Sequence, residues 1–337
     1  MNNGDNQMII SRAPVRISLG GGGTDLESYY SKYGGFLISG AIDKYIYISA
    51  NKRFHNTIRL SYSQTEIVNS VEDINHNIFR EALNFIPPKN GDGIELVSIA
   101  DVPANCGLGS SSCFTVSLLN ALHAYNREYI SQQQLAEEAC TIEIERLGEP
   151  IGKQDQYISA FGGITTLTFE KDGKVIVEPV KMSDDAIDEL ERNILLYYTG
   201  IERSASDILS EQNEKSKRDE SAVIESLHQI KKIGYDTKKA FETGDLEKFG
   251  ELLDVHWNNK KQLSKNISNP FIDSCYETAM KNGAIGGKIM GAGGGGFFMF
   301  YAPENHDNLT KAMKEKGLRP MRFRFDFEGA KILVNIK

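Results

Sequence analysis

Long apolar stretches are missing from this chain of 337 residues. No run approaches the roughly eighteen apolar residues that a membrane-spanning helix needs. The opening MNNGDNQMII is polar before one short strand-like stretch, so neither a secretory leader nor a membrane anchor is expected, and a cytoplasmic location is. Cysteine is sparse: Cys106, Cys113, Cys140 and Cys275 form no CxxC pair, and the six histidines form no HExxH, which speaks against structural zinc and leaves four free thiols. Positive charge is short as well. With 38 Lys and Arg against 46 Asp and Glu the net charge is −8, and no basic stripe marks a nucleic-acid surface. Any anionic ligand must therefore be gripped by local groups. Repeats and low-complexity tracts are absent too, and the charge-rich 211–220 (EQNEKSKRDE) reads as a solvated helix face or loop.

What is present is an ordinary globular composition, 40% hydrophobic and 25% charged, at a length suited to about two domains. Residues 8–19 and 36–50 read as strands separated by a glycine-rich turn and a short helix. Helices are predicted over 72–86, 113–126 and 132–147, and a strand over 94–101. After Gly162-Gly163, two alternating runs flank Lys171-Asp172-Gly173-Lys174, a hairpin turn that marks the candidate domain boundary. After NILLYYTG at 193–200 comes a long helical stretch reaching about residue 264, with breaks near Gly234 and Gly244; helix and strand alternate over the last seventy residues. The pattern implies two α+β lobes, residues 1–180 and 181–337.

Three glycine-rich segments carry the chemistry. In the first, Arg16-Ile-Ser-Leu runs into Gly20, Gly21, Gly22, Gly23, Thr24 and Asp25, so a strand end loses side-chain bulk and a ligand can approach the backbone. A plain flexible loop has the same composition. The second, Pro103-Ala-Asn-Cys-Gly107-Leu108-Gly109-Ser110-Ser111-Ser112, leads directly into an apolar helix. Free backbone N–H groups, serine caps and the positive end of the helix dipole make an anion site, and a serine hydroxyl suits Mg²⁺; a well-capped buried helix is the simpler alternative. The third, Lys288-Ile-Met-Gly291-Ala-Gly293-Gly294-Gly-Gly296-Phe-Phe, contains GxGxxG but is followed by a strand, where a dinucleotide site needs a helix. It is not a P-loop either, because Gly287-Lys288 is followed by Ile289.

Taken in this order, the three segments resemble the three motifs of the GHMP kinases, named for galactokinase, homoserine kinase, mevalonate kinase and phosphomevalonate kinase. Pro103–Ser111 fits the family's P-x-x-x-G-L-G-S-S-A, with Ser112 in place of alanine, and the third motif fits with Met290 where threonine or serine is usual. The first departs from the common G-E-H-x-D, reading Gly21-Gly22-Gly23-Thr24-Asp25. The strings LGGGGTDL and LGEPIGKQDQYISAFGG are similar to the D-glycero-D-manno-heptose 7-phosphate kinase branch, with fucokinase-related enzymes as neighbours. The resemblance implies the two-lobed α+β GHMP kinase fold, with an N-terminal lobe like ribosomal protein S5 domain 2 and a ferredoxin-like C-terminal lobe. It also implies ATP and Mg²⁺, and phosphorylation of O1 of the heptose 7-phosphate, on the way to nucleotide-activated heptose for surface polysaccharide.

By the same resemblance Asp155 falls where the family places its active-site aspartate, and Arg16 matches the basic residue after Ala-Pro-x. Asp155 would take the proton of the acceptor hydroxyl or orient it, and Arg16 would offset charge on the transferring phosphoryl group. Pro103, Gly107, Leu108, Gly109, Ser110, Ser111 and Ser112 are implied in nucleotide binding, and Gly22, Gly23, Thr24, Asp25, Gly291, Gly293 and Gly294 in substrate binding. Ser111 and Glu145 are the implied Mg²⁺ ligands, with Glu143 as the competitor. Two residues apart on a helix means roughly 200° of rotation, so only one of the two glutamates faces the metal. A basic pocket for the sugar's phosphate is left open among Lys153, Arg12, Lys44 and Arg203. Besides a sugar phosphate kinase, three alternatives are carried: a kinase for another sugar such as fucose, a non-catalytic sugar or nucleotide sensor on the same fold, and a nucleotide-dependent oxidoreductase. Nothing in the sequence fixes the oligomeric state.

Overall fold

Two long strands, buried over most of their length, open the fold, as expected where both faces of a sheet are covered. A computed structural model describes residues 7–89, 93–202, 205–218 and 220–336. The two strands are β1 (Met8–Gly20) and β2 (Gly35–Lys52), paired antiparallel along most of their length. They are followed by β3 (Ile58–Ser61), β4 (Thr65–Val68), β5 (Ile94–Ala100), β6 (Ile164–Phe169) and β7 (Val175–Pro179). A second set comprises β8 (Ile194–Tyr198), β9 (Gly286–Ile289), β10 (Phe297–Tyr301) and β11 (Arg319–Met321), and β12 (Lys331–Ile336) ends the described chain. The helices are α1 (Glu27–Tyr33), α2 (Asn77–Phe85), α3 (Ser110–Tyr125), α4 (Gln132–Cys140), α5 (Gln154–Phe161), α6 (Asp184–Asn193), α7 (Ala205–Lys217), α8 (Ser221–Thr243), α9 (Leu246–Lys260), α10 (Pro270–Lys281) and α11 (His306–Glu315).

The first sheet runs β12-β1-β2-β5-β3-β4, with the β6–β7 hairpin paired to the first half of β2. Helices α3 and α5 pack on β1 and β2. The second sheet has the order β11-β8-β10-β9 and is antiparallel throughout. Numbered within itself that order is 4-1-3-2, the ferredoxin-like arrangement.

Four departures from the sequence expectations have local causes. The helix expected over 72–86 splits into a short turn at Val71–Asp73 and α2, because the Glu66 carboxylate accepts from the backbone N–H groups of Asn75 and His76 and holds that segment extended. The helix expected over 132–147 is α-helical only to Cys140 and widens into a π turn over Thr141–Arg146. Gly234 does not break its helix: α8 passes through it unbroken, and a Cβ there would sit 3.1 Å from the Phe36 ring and 3.3 Å from Gly21 Cα. It is a packing glycine, which lets α8 lie against the glycine-rich strand end. A division at residue 180 fails for the final strand, since β12 returns to pair with β1.

One buried histidine ties α3 to the rest of the N-terminal lobe. His123 is held between Glu128 and Glu138, at 2.8 and 2.7 Å. Burial pulls its pKa down, but the hydrogen bonds and charges of the two carboxylates outweigh this and raise it above 6.5. A raised native pKa stabilises fully below 6.5 and loses its contribution as pH rises through the native value. The denaturant midpoint should therefore fall as pH climbs from about 6.5 through the native His123 pKa, and the fall should be much smaller in His123→Gln. An identical pH profile in the variant would show that the pair of carboxylates does not couple to folding.

Candidate active site

Arg16 lies near the end of β1, 5% exposed, and has to find partners there. Its Nε and Nη2 donate to the two Asp155 carboxylate oxygens at 2.7 and 2.8 Å, and Nη1 donates to Gly107 O at 2.5 Å. The fork geometry fixes the carboxylate plane in the first turn of α5. One arginine thus joins the first glycine segment's strand, the second segment's loop and the candidate base.

Helix α3 starts at Ser110, earlier than expected, and its cap position is Gly109 in the left-handed region (φ 77°) with no side-chain cap. The serines are therefore the first helical turn, not the cap, and the first N–H groups of α3 have no intrahelical acceptor. That turn opens on a cavity of about 290 Å³ that Gly107, Gly109 and Ser110–Ser112 help to line. Across it the third segment closes on the second. A Cβ on Gly291 would meet Gly107 Cα at 2.7 Å, and Phe297 N donates to Cys106 O at 3.1 Å.

The first segment completes the wall. Asp25 is buried and accepts from Gly23 N and from Gln154 N, both at 3.1 Å, so it caps the start of α5 from a distant part of the chain. Burial, opposed by the Gln154 N–H but reinforced by the charge of Asp155, raises its pKa. Gly22 and Gly23 line the cavity; Thr24 does not, being buried with its hydroxyl 2.9 Å from Gly21 O and 3.0 Å from Phe36 O, where it fastens the loop.

The structure separates the two glutamates. Glu145 is exposed on the outer side of the π turn, contrary to its assignment as the metal ligand, while Glu143 is 1% exposed and lines the cavity. Ser111 Oγ donates to Glu143 Oε1 at 2.9 Å and Gln156 Nε2 to Oε2 at 2.7 Å. Burial overrides the hydrogen bonds from Ser112, Gln156 and Ser111 and, with Asp155 nearby, pushes the Glu143 pKa up to about 7. A buried carboxylate so raised fits a divalent cation that would restore its charge. Among the described residues no group of three or more Asp, Glu, His or Cys could hold a metal alone, so phosphate oxygens and water would complete the shell.

Other expected positions fall outside the cavity. Pro103 is exposed at the start of its loop, Leu108 is buried in the core behind it, and Gly294 spends its N–H on Ile267 O. Of the basic residues considered for the sugar's phosphate, Lys153 donates to Gly173 O, Arg12 pairs with Glu328 beside Asp326, and Lys44 pairs with Asp43. Arg203 lies outside the described residues. The cavity instead holds His256 and Lys260 from α9 and Lys288 from β9, which sequence reasoning did not single out. The signal was there: a His and a Lys four apart share one helix face, and Lys288 opens the third motif.

Comparison with known proteins follows the same division. Residues 77–163 match the family described as GHMP kinases N terminal domain, and residues 237–318 the one described as GHMP kinases C terminal. The D-glycero-alpha-D-manno-heptose 7-phosphate kinase of Campylobacter jejuni is 33% identical over 334 residues, covering 96% of this chain and 98% of that protein. The L-fucokinase/L-fucose-1-P guanylyltransferase of Bacteroides fragilis is 28% identical over 95% of this chain, but only 37% of that protein is matched. The crystal structure of a D-glycero-D-manno-heptose 1-phosphate kinase from Bacteroides thetaiotaomicron superposes with a TM-score of 0.80 at 27% identity, covering 97% of this chain and 99% of that one.

Proposed function

The chain belongs to the GHMP kinase family, and from that premise we propose that it transfers the γ-phosphoryl group of ATP to a hydroxyl of a heptose phosphate. The observation that carries this reading is Asp155, clamped in one orientation by Arg16 beside the uncapped start of α3. Phosphoryl transfer asks little covalent chemistry of a protein; positioning and charge stabilisation do most of it.

The residues divide that work. The first-turn N–H groups of α3 and the dipole behind them receive the triphosphate of ATP. Glu143 and Ser111 would hold Mg²⁺, which neutralises charge on the phosphate oxygens when bound. Asp155 accepts a hydrogen bond from the acceptor hydroxyl and takes its proton as the new O–P bond forms and the bond to the β,γ-bridging oxygen breaks, leaving ADP. Arg16 keeps the carboxylate aimed and adds positive charge beside the transferring group. The heptose relatives, whose names give a 7-phosphate in one case and a 1-phosphate in the other, support a heptose phosphate acceptor; attack from O1 of a 7-phosphate is the specific form that the motif resemblance implies, and it agrees with the first of the two names.

Coupled measurement of ADP release across heptose 7-phosphate, heptose 1-phosphate, fucose, galactose and mevalonate tests the reading. Turnover should be fastest with heptose 7-phosphate; activity with mevalonate alone would refute it. Glu143→Gln keeps the shape of the side chain but removes the charge, so half-maximal activity should require roughly 10- to 100-fold more Mg²⁺. An unchanged Mg²⁺ requirement would remove Glu143 from the metal site.

A further inference from the structure

The mechanism above leaves three basic groups of the cavity without work, His256 and Lys288 buried and Lys260 half-buried. Lys288 is 2% exposed, and its ammonium lies 3.3 Å from His256 Nδ1. Lys260 donates to the carbonyls of Ile289 (3.1 Å) and Gly291, the residues that lead into the third glycine segment. Among the described residues neither lysine has a carboxylate partner, whereas the nearby Arg16 has its own in Asp155. An enclosed ammonium without a counter-charge is costly, and a cavity that holds one buried and one half-buried is built for a ligand that brings the missing charge.

Which ligand follows from charge accounting within the cavity. The nucleotide already has receivers: the first turn of α3, and Glu143 with Ser111 for its cation. The acceptor's own phosphate has none among the described residues first considered for it, since Lys153, Arg12 and Lys44 are tied up elsewhere. A phosphomonoester dianion matches two ammonium groups in charge and offers acceptor oxygens to both.

We propose that Lys260, Lys288 and His256 form a second anion site in the cavity, which takes the phosphate already carried by the acceptor sugar and selects phosphorylated over neutral acceptors. The inference rests on the sugar phosphate reading above and adds to it the residues that enforce the selection. The protonation balance agrees with it. Burial and the charge of Arg16 pull Lys260 down to about 7, and burial with Lys260 and Arg16 also pulls Lys288 well below the ordinary lysine range. Burial and the two lysines also lower His256, so its Nδ1 is the acceptor for Lys288. A bound dianion reverses the penalty on both lysines.

Lys288→Met and Lys260→Met, which keep length and remove charge, test the site in the full chain. Against heptose 7-phosphate, kcat/KM should fall on the order of 10²-fold, and the preference for that acceptor over unphosphorylated heptose should fall by the same factor. ATP affinity should stay within about threefold. Orthophosphate should compete with the sugar phosphate in the wild type and much less in the variants. Equal losses on phosphorylated and unphosphorylated acceptors, or a matching loss of ATP affinity, would place the cluster on the transferring phosphoryl group and overturn the proposal. Full activity in both variants would make the lysines structural and overturn it equally. His256→Gln supplies a third, near-isosteric variant if either methionine variant misfolds. Failure of the parent reading is recognised separately, because the wild type would then turn over no sugar phosphate; calorimetric titration with orthophosphate, wild type against Lys288→Met, still reports whether the anion site exists.

Discussion

Asp155→Asn is expected to lower kcat by about 10²- to 10⁴-fold while ATP binding stays within a few-fold of wild type. The amide keeps the size of the carboxylate and one oxygen for Arg16, so the loop held through Gly107 O remains in place. What disappears is the proton acceptor. A second consequence follows from the pairing: the Arg16 guanidinium, 5% exposed, loses its counter-charge, so some thermal stability should be lost as well. Comparing nucleotide titration, kcat and unfolding in one variant separates these effects. A variant that turns over normally would leave Asp155 as a mere partner of Arg16.

Gly109→Val should be the most damaging single change outside the charged groups, with kcat/KM reduced by more than about 10²-fold. Two penalties coincide there. At φ 77° a β-branched residue is strained by roughly 1–3 kcal/mol, and a Cβ would lie 2.8 Å from Asp155 Oδ2. The side chain thus presses on the base and fills space at the start of α3, so ATP affinity and turnover should fall together. Gly148→Val is the matched control. Gly148 has a similar φ of 68° but nothing within 4 Å of a Cβ, so it carries the backbone strain without the collision. Similar losses of activity in the two variants, measured on folded protein, would show that strain and not proximity to the site is responsible.

Much of this site was legible before the coordinates, and the reason is physical. Glycine runs and a small-residue loop leading into an apolar helix are local requirements of a phosphate-binding backbone, and local requirements leave a mark on the sequence at fixed spacing, although the serines were expected as caps and form the first helical turn instead. Elements with a strong apolar period, such as β1, β2 and α3, were placed within a few residues. Glu143 and Glu145 could not be separated, because the choice depends on the π turn that follows α4, and a one-residue widening is invisible to a 3.6-residue pattern. Gly234 was misjudged for a similar reason: close approach of two backbones is a tertiary fact, although the glycine that permits it is local. Lys260, Lys288 and the adjoining His256 were missed because a lysine in a sequence looks solvated, and only the packing of α9 against β9 shows that the two lysines line the cavity.

The kinase reading stands on one chemical event, so its product is the thing to measure. Phosphorus NMR, correlated with protons, should be recorded on wild-type protein with Mg²⁺, ATP and D-glycero-D-manno-heptose 7-phosphate. ADP and a new sugar phosphate signal coupled to the anomeric proton should appear in equal amounts, and Asp155→Asn should slow the formation of both by about 10²- to 10⁴-fold. ADP that accumulates without any new phosphate on the sugar, or a new phosphate that Asp155→Asn still forms at the wild-type rate, would contradict it.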